Sequence, residues 1–207
     1  MSTTRRAHFQ PTRWLEVPAL EPYSPWLMRF FQEEREGRWP DVGVLAQRLE
    51  VPLRFWTPRG RLPVGLDESD VGDSYIGHCV RGTVPTRAEN LHDFFNALTW
   101  ARFPRAKAAL CQRHFDLALS RGPHTNRLRT RAQDRLSMVD EGGVLTVADG
   151  ISVVFGHGLL EDEVRGRGSR GLSLAVPNLD DVTVAEAVRQ LPLDTERELL
   201  PAALRDR

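Results

Sequence analysis

The stretch Asn90 to Lys107, NLHDFFNALTWARFPRAK, restricts the fold more than any other part of this chain. Leu91, Phe94, Phe95, Leu98 and Ala101 or Arg102 recur at helical spacing, so they demand a buried amphipathic helix. Thr86-Arg-Ala-Glu89 has capping-box form and predicts a start at Arg87 and an end near Phe103. Pro104 has no amide hydrogen, so it stops that helix and can open the next, Arg105 to Leu119. The expected product is a bent helical hairpin or corner with polar side chains set into its apolar face.

Around this hairpin the patterning divides the chain. Ser24-Pro25 reads as a cap and first helical residue for a helix to about Glu34, and Asp41 as the cap of another through Leu49. Pro52 to Trp56 and Tyr75 to Val80 read as extended, with a Pro-, Gly- and Asp-rich loop between them. From Leu136 the pattern changes to short apolar runs, Leu136 to Val139, Val144 to Ala148, Ile151 to Phe155 and Leu172 to Val176, separated by Gly-rich turns. A last helix is expected near Thr183, which has Glu186 three residues on, followed by a helical tail beyond Leu193. Helices first and strands later predict an α+β fold, with N-terminal and central helices packed on a small, mostly antiparallel sheet. At 207 residues one domain is expected, helical over about 20–120 and sheet-rich over about 134–180, with 1–20 and 194–207 peripheral.

Composition narrows the setting. With 41% hydrophobic and 27% charged residues and no apolar run of spanning length, a soluble protein is expected. Basic residues near the start precede no apolar segment, and Cys79 and Cys111 form no disulfide framework, so the expected location is the bacterial cytoplasm. The net charge of zero conceals −1 over residues 1–80, +7 over 81–135 and −6 over 136–207. That basic middle can face an anionic ligand, nucleic acid or the acidic C-terminal third of its own chain. Among 28 basic residues Lys107 is the one lysine, which reads either as a place where a compact ammonium does what a guanidinium cannot or as the chance retention of one surface lysine.

Three blocks carry groups able to do chemistry. In the first, His92 and Asp93 are adjacent, so on a helix their side chains diverge by about 100° and cannot form a dyad. His92 shares a face with Asn96 and Trp100, a spacing at which the amide can orient the imidazole as a general base, a metal ligand or a buried hydrogen-bonding group. Further on, Lys107, Cys111 and His114 follow at i, i+4 and i+7, but no second ligand pair completes a structural zinc site, and Cys111 reads as a small buried thiol. In the second block, Asp134 and Asp140-Glu141-Gly-Gly offer carboxylates for magnesium or acid–base work. A hairpin turn explains Glu141 as well, leaving Asp134 and Asp140 as the candidates. In the third, His157 lies between two glycines in Phe-Gly-His-Gly-Leu-Leu-Glu161, where a strand ends and a helix begins.

Together these blocks resemble an uncharacterised bacterial domain-of-unknown-function family, in which Asn-x-His-Asp, Asn-Ala-Leu, Trp and Phe-Pro-x-x-Lys recur at the spacings of Asn90 to Lys107. The resemblance extends through the Asp-Glu-x-Gly and Phe-Gly-His blocks, about residues 75 to 165. It implies no established activity. The chain departs from it after Glu163, where Arg165 to Gly171 reads as a flexible loop.

Two functions follow as expectations. One is a hydrolase for a phosphate-bearing or other anionic substrate, with His92, Asn96, Lys107, Asp134, Asp140 and His157 gathered in one pocket and a divalent cation as an open cofactor. The other is a non-catalytic adaptor that binds RNA or another anion through Arg127, Arg129 and Arg131 in the basic region 121–135. The sequence has no Walker loop, nucleophile elbow, dinucleotide fingerprint or HExxH, which removes support from the enzyme classes those motifs define.

Overall fold

The computed structural model describes residues 8–63, 71–120 and 130–192. Short helices come first: α1 (Pro11–Trp14), α2 (Ser24–Leu27), α3 (Phe31–Arg35) and α4 (Leu45–Leu49), joined by 3-10 turns. Then follow β1 (Arg54–Trp56), α5 (Tyr75–Val80), β2 (Thr83–Pro85), α6 (Leu91–Arg102), α7 (Pro104–Leu119), α8 (Arg131–Gly142), β3 (Gly143–Thr146), β4 (Ser152–Val154), α9 (His157–Val164), β5 (Leu172–Ala175) and α10 (Asp181–Gln190). The α+β class is as expected. Among the described residues no helix is long and apolar enough to cross a membrane.

The expected helical corner is present. Phe94, Phe95, Leu98 and Trp100 of α6 are buried, and Pro104 opens α7 directly behind Phe103. The start lies one turn later than the capping box predicts. Asn90 is the cap, its side chain accepting from the Asp93 amide at 3.0 Å, while Glu89 adopts a left-handed φ of 53° that no first helical turn contains. At the corner, the Arg105 and Ala106 amides donate to the Asp181 carboxylate at 2.8 and 2.9 Å, so α10 caps α7 from outside. The cap of α10 is Asp180, which accepts from the Thr183 amide at 2.9 Å; Thr183 itself lies inside the helix. Ser24 likewise does not cap: its hydroxyl donates to the Glu21 carbonyl at 2.8 Å.

The strands form two small sheets. β1 pairs with β2 in parallel, and the three-stranded sheet has the order β4-β3-β5. β3 runs antiparallel to β4 but parallel to β5, so this sheet is mixed: β4 returns the chain and α9 then carries it past β3 to β5. Two expected strands are helices. Tyr75–Val80 forms α5, capped by the Ser74 hydroxyl on the Gly77 amide. Leu136 to Val139 lies inside α8, where Gln133, Leu136 and Val139 are buried at three-residue intervals and Thr130 with Gln133 makes a reciprocal capping box. Asp140-Glu141-Gly-Gly is therefore the last turn of a helix entering a strand.

An aromatic cluster ties the N-terminal helices to α6. Phe9 packs against Trp14, Phe30, Trp39 and Phe94 with ring centroids 4.9–6.2 Å apart. Tyr23, fully buried, donates to the Val154 carbonyl at 2.6 Å and so anchors this layer to the strand that precedes His157.

Candidate metal centre

Three elements meet where α6 crosses the C-terminal end of α8 and the start of α9, and each brings one donor. His92 comes from the first turn of α6, Glu141 from the last turn of α8, and His157 is the first residue of α9. The Nε2 atoms of His92 and His157 lie 3.0 Å apart, and the Glu141 carboxylate sits 3.6 Å from each of them. Glycine makes this approach possible. A Cβ on Gly156 would stand 2.4 Å from the Gly142 nitrogen, and one on Gly158 would stand 2.5 Å from Glu141 Oε2.

Each imidazole has a carboxylate behind it. His92 Nδ1 faces Glu161 Oε2 at 3.1 Å, and Arg165 holds the other oxygen of Glu161 at 2.8 Å. Buried His157 presents Nδ1 to Asp140 Oδ1 at 3.8 Å, beyond hydrogen-bond reach, and Nδ1 has no hydrogen-bond partner. Asp140 is in turn in direct contact with the ammonium of Lys107, which is fully buried and lies 5.7 Å over the Trp100 ring.

This arrangement calls for a positive charge between the rings. With Nδ1–H of His92 committed to Glu161, its Nε2 carries a lone pair. If His157 holds its proton on Nδ1, two lone pairs meet head-on at 3.0 Å. If the proton is on Nε2, the rings bond to each other but a bare, buried Nδ1 faces the Asp140 carboxylate. A proton on His92 or a metal ion between the rings removes both conflicts. Accordingly, the neighbouring Glu141 carboxylate outweighs burial and raises the His92 pKa. Burial lowers that of His157 to about 4, so its imidazole is neutral at pH 7. Burial would lift the carboxyls of Asp140 and Glu141, but Lys107 and His157 for the former, and the two histidines for the latter, hold both below their ordinary values.

The spacing fits a metal. Ligands about 2.1 Å from an ion are about 3.0 Å apart at a right angle and about 3.4 Å apart at a tetrahedral angle. The imidazole nitrogens, 3.0 Å apart, match the right-angle spacing, and Glu141 stands 3.6 Å from each ring through different oxygens, Oε2 toward His92 and Oε1 toward His157. His92, Glu141 and His157 each offer one donor atom within 4.8 Å of the others. Glu161 stands where a ligating histidine's second nitrogen usually finds an orienting partner, and Asp140 lies on the corresponding side of His157 but 3.8 Å away.

A cleft of about 670 Å³ opens over these groups. His92, Asn96, Asp140, Glu141 and His157 line it, with Tyr75, His114 and Gln133 deeper in and the exposed Arg59 and Arg61 also on its wall. A second, smaller depression reaches His92 and Glu141 from the other side, beside Glu161 and Arg170.

Of the residues singled out in the sequence, His92, Asn96, Asp140 and His157 converge on this cleft, and Lys107 lies directly behind Asp140. Asn96 does not orient His92 as expected; its amide donates to the Tyr75 oxygen at 2.7 Å, leaving Oδ1 buried without a hydrogen-bond partner. Asp134 is exposed in the first turn of α8 and takes no part in the cleft. Arg131 is exposed at the start of the same helix, and Arg127 and Arg129 lie outside the described residues. Cys111 is a buried thiol, as expected. The sequence reads Glu141 as a turn residue and gives no role to Glu161. Its four-residue spacing from His157 on one helix face was the available signal.

Residues 66–154 match the model of a protein family of unknown function, DUF3025. The DUF3025 match contains His92, Lys107, Asp140 and Glu141, while His157 and Glu161 lie just beyond it. No curated protein matches the chain. Among solved structures, that of a phenylalanine hydroxylase variant from Chromobacterium violaceum is similar with a TM-score of 0.54, 16% identity and coverage of 74% of this chain. The cobalt-bound form of that enzyme gives a TM-score of 0.51, 18% identity and 72% coverage. This chain spans 56% of the length of each. The likeness is one of fold.

Proposed function

We propose that the protein is a metal-dependent enzyme with a mononuclear centre held by His92, His157 and Glu141. The observation that carries this reading is the pair of imidazole nitrogens 3.0 Å apart, facing one carboxylate and backed by two more. Two histidines and one carboxylate, with further positions open to a cleft, are the donor set of non-haem iron(II) sites, and iron(II) is the ion that fits best. The likeness in fold to a hydroxylase whose structure was obtained with cobalt supports a metal reading. Bound there, the ion supplies Lewis acidity and, as iron, one-electron chemistry.

The chain's own residues supply the rest. Glu161 holds the His92 ring with Nε2 aimed at the centre, and Tyr75 and Asn96, bonded to each other, line the cleft. Arg59 and Arg61 on the cleft wall favour a substrate with an anionic group. Lys107 cannot neutralise charge on that substrate, because its ammonium is buried against Asp140. Hydrolysis at a zinc ion in the same ligand set is the competing chemistry.

The test is a cobalt(II) titration of metal-free protein, followed by its visible spectrum. One ion per chain is expected, lost in His92→Ala and in His157→Ala. Absence of saturable uptake, or uptake that survives both substitutions, would sink the proposal. Dioxygen consumption by the iron(II)-loaded protein with small organic acids then separates oxygen chemistry from hydrolysis.

A further inference from the structure

We propose that the cleft takes an amphiphilic organic anion, with its anionic group held at the mouth by Arg59 and Arg61 and its uncharged body turned inward to the metal centre. The inference rests on the metal reading above and deepens it, because it makes the substrate's charge a handle and leaves the reacting position to the body.

The first support is the distribution of charge on the cleft wall. Its acidic side chains are Asp93, Asp140 and Glu141, and each already faces a partner. The Arg87 guanidinium forks onto Asp93 at 2.9 and 2.7 Å, the Lys107 ammonium contacts Asp140, and Glu141 stands between the two imidazoles. Arg87 is committed by the same fork. Arg59 and Arg61, in contrast, make no hydrogen bond or ion pair with any described residue, although both line the cleft. Two guanidinium groups on one wall without a carboxylate between them are the charge left over for a ligand, and their planar donor sets match a carboxylate or a phosphate.

The second support is depth. Arg59 and Arg61 are exposed, whereas Val71, Pro85, Asn96 and His157 of the same cleft are buried. Further in, no arginine or lysine of the lining is uncommitted, and the Tyr75 and Asn96 side chains, joined at 2.7 Å, are uncharged. An anionic group that travelled inward to the metal would leave both guanidiniums behind and carry its charge past Val71, Ile76 and Pro85 without a partner. An uncharged body makes that passage at no such cost, and a cleft of about 670 Å³ has room for several carbon atoms beyond the anionic group.

The experiment measures binding of the straight-chain alkanoates from butanoate to decanoate, of hexyl phosphate, and of hexan-1-ol as the uncharged control, by calorimetry and saturation-transfer NMR. Metal-free wild type is expected to bind at least one of the anions saturably, and about 10–100-fold more tightly than either the alcohol or than Arg59→Ala/Arg61→Ala binds the same anion. Both arginines are exposed and bonded to no described residue, so the variant should keep the wild-type Tm and its loss of binding cannot be laid to misfolding. Equal affinity in the variant, equal affinity for the alcohol, or no saturable binding of any of these anions would overturn the proposal. Orientation is then read on the cobalt(II)-loaded protein, where paramagnetic relaxation of the bound anion should be strongest at the terminal methyl and weakest beside the anionic group. The reverse gradient places the anionic group on the metal and overturns the proposal as well. A wild-type protein that takes up no cobalt(II) refutes the metal reading, and arginine-dependent binding to the metal-free protein is decided separately by the first comparison.

Discussion

Two glycines separated by one residue should respond to alanine in opposite ways. Gly156 has a φ of −70°, which any residue adopts, so alanine there acts by sterics alone. Its Cβ would lie 2.4 Å from the Gly142 nitrogen and 2.5 Å from the Glu141 carbonyl carbon, backbone atoms at the junction of α8 and β3. Contacts of that kind relax to about 3.5–4.0 Å only if the helix end moves by over an ångström. Overpacking of this sort costs about 1–3 kcal/mol. For a chain of this length that corresponds to a fall in Tm of roughly 2–12 °C.

At Gly158 the nearest obstacle is Glu141 Oε2 at 2.5 Å, the far end of a side chain that is 52% exposed and can swing away; the Glu141 carbonyl at 3.0 Å needs only a slight shift. Alanine is also the better helix former there, by up to about 1 kcal/mol. Gly158→Ala should therefore leave Tm nearly unchanged while displacing the carboxylate from between the two rings. Cobalt(II) affinity should fall about 10–100-fold, by analogy with the loss of groups that orient metal ligands. Differential scanning fluorimetry and a cobalt titration on the two variants separate the effects. An unchanged cobalt affinity in Gly158→Ala would refute Glu141 as a ligand. A Tm in Gly156→Ala at or above wild type would refute the close backbone approach.

Other consequences are simpler to check. Tyr23→Phe strands the buried Val154 carbonyl and should lower stability by about 1–2 kcal/mol, read as a shift of the urea midpoint at constant m. Asn90→Ala removes the cap of α6 and should cost about 1 kcal/mol in the same assay, since the amide of Asp93 loses its acceptor. Cys79 and Cys111 are both buried, and contact with Cys79, reinforced by burial, raises the thiol pKa of Cys111. Ellman's reagent should thus modify neither cysteine in the native protein and both in guanidinium.

The corner of α6 and α7 was legible because its signals are local: an apolar period of 3.6 and a proline at a fixed place. Tyr75–Val80 misled because its residues read equally well as a strand. What makes it helical is tertiary: Gly77 packs so tightly on the segment before it that a Cβ would stand 2.2 Å from the Val71 carbonyl oxygen. Thr130 with Gln133, and Leu136 with Val139, carried a helical pattern that the two glycines after Glu141 disguised as a hairpin. Yet Gly143 adopts ordinary extended angles, φ −65° and ψ 138°, and turns nothing.

The site followed the same division. His92 and His157 could each be picked out, one from a polar position in an apolar helix and one from its flanking glycines, but they stand 65 residues apart and no periodicity relates them. Reading Asp140-Glu141 as a turn also hides that the two carboxylates face opposite ways. On a helix, adjacent residues diverge by about 100°, so Asp140 can face inward to Lys107 and His157 Nδ1 while Glu141 faces outward to both Nε2 atoms. A hairpin gives no such division of labour. The misread helix and the overlooked Glu141 therefore have one cause, and it is the last turn of α8 that turns one carboxylate toward Lys107 and the next toward the two imidazoles.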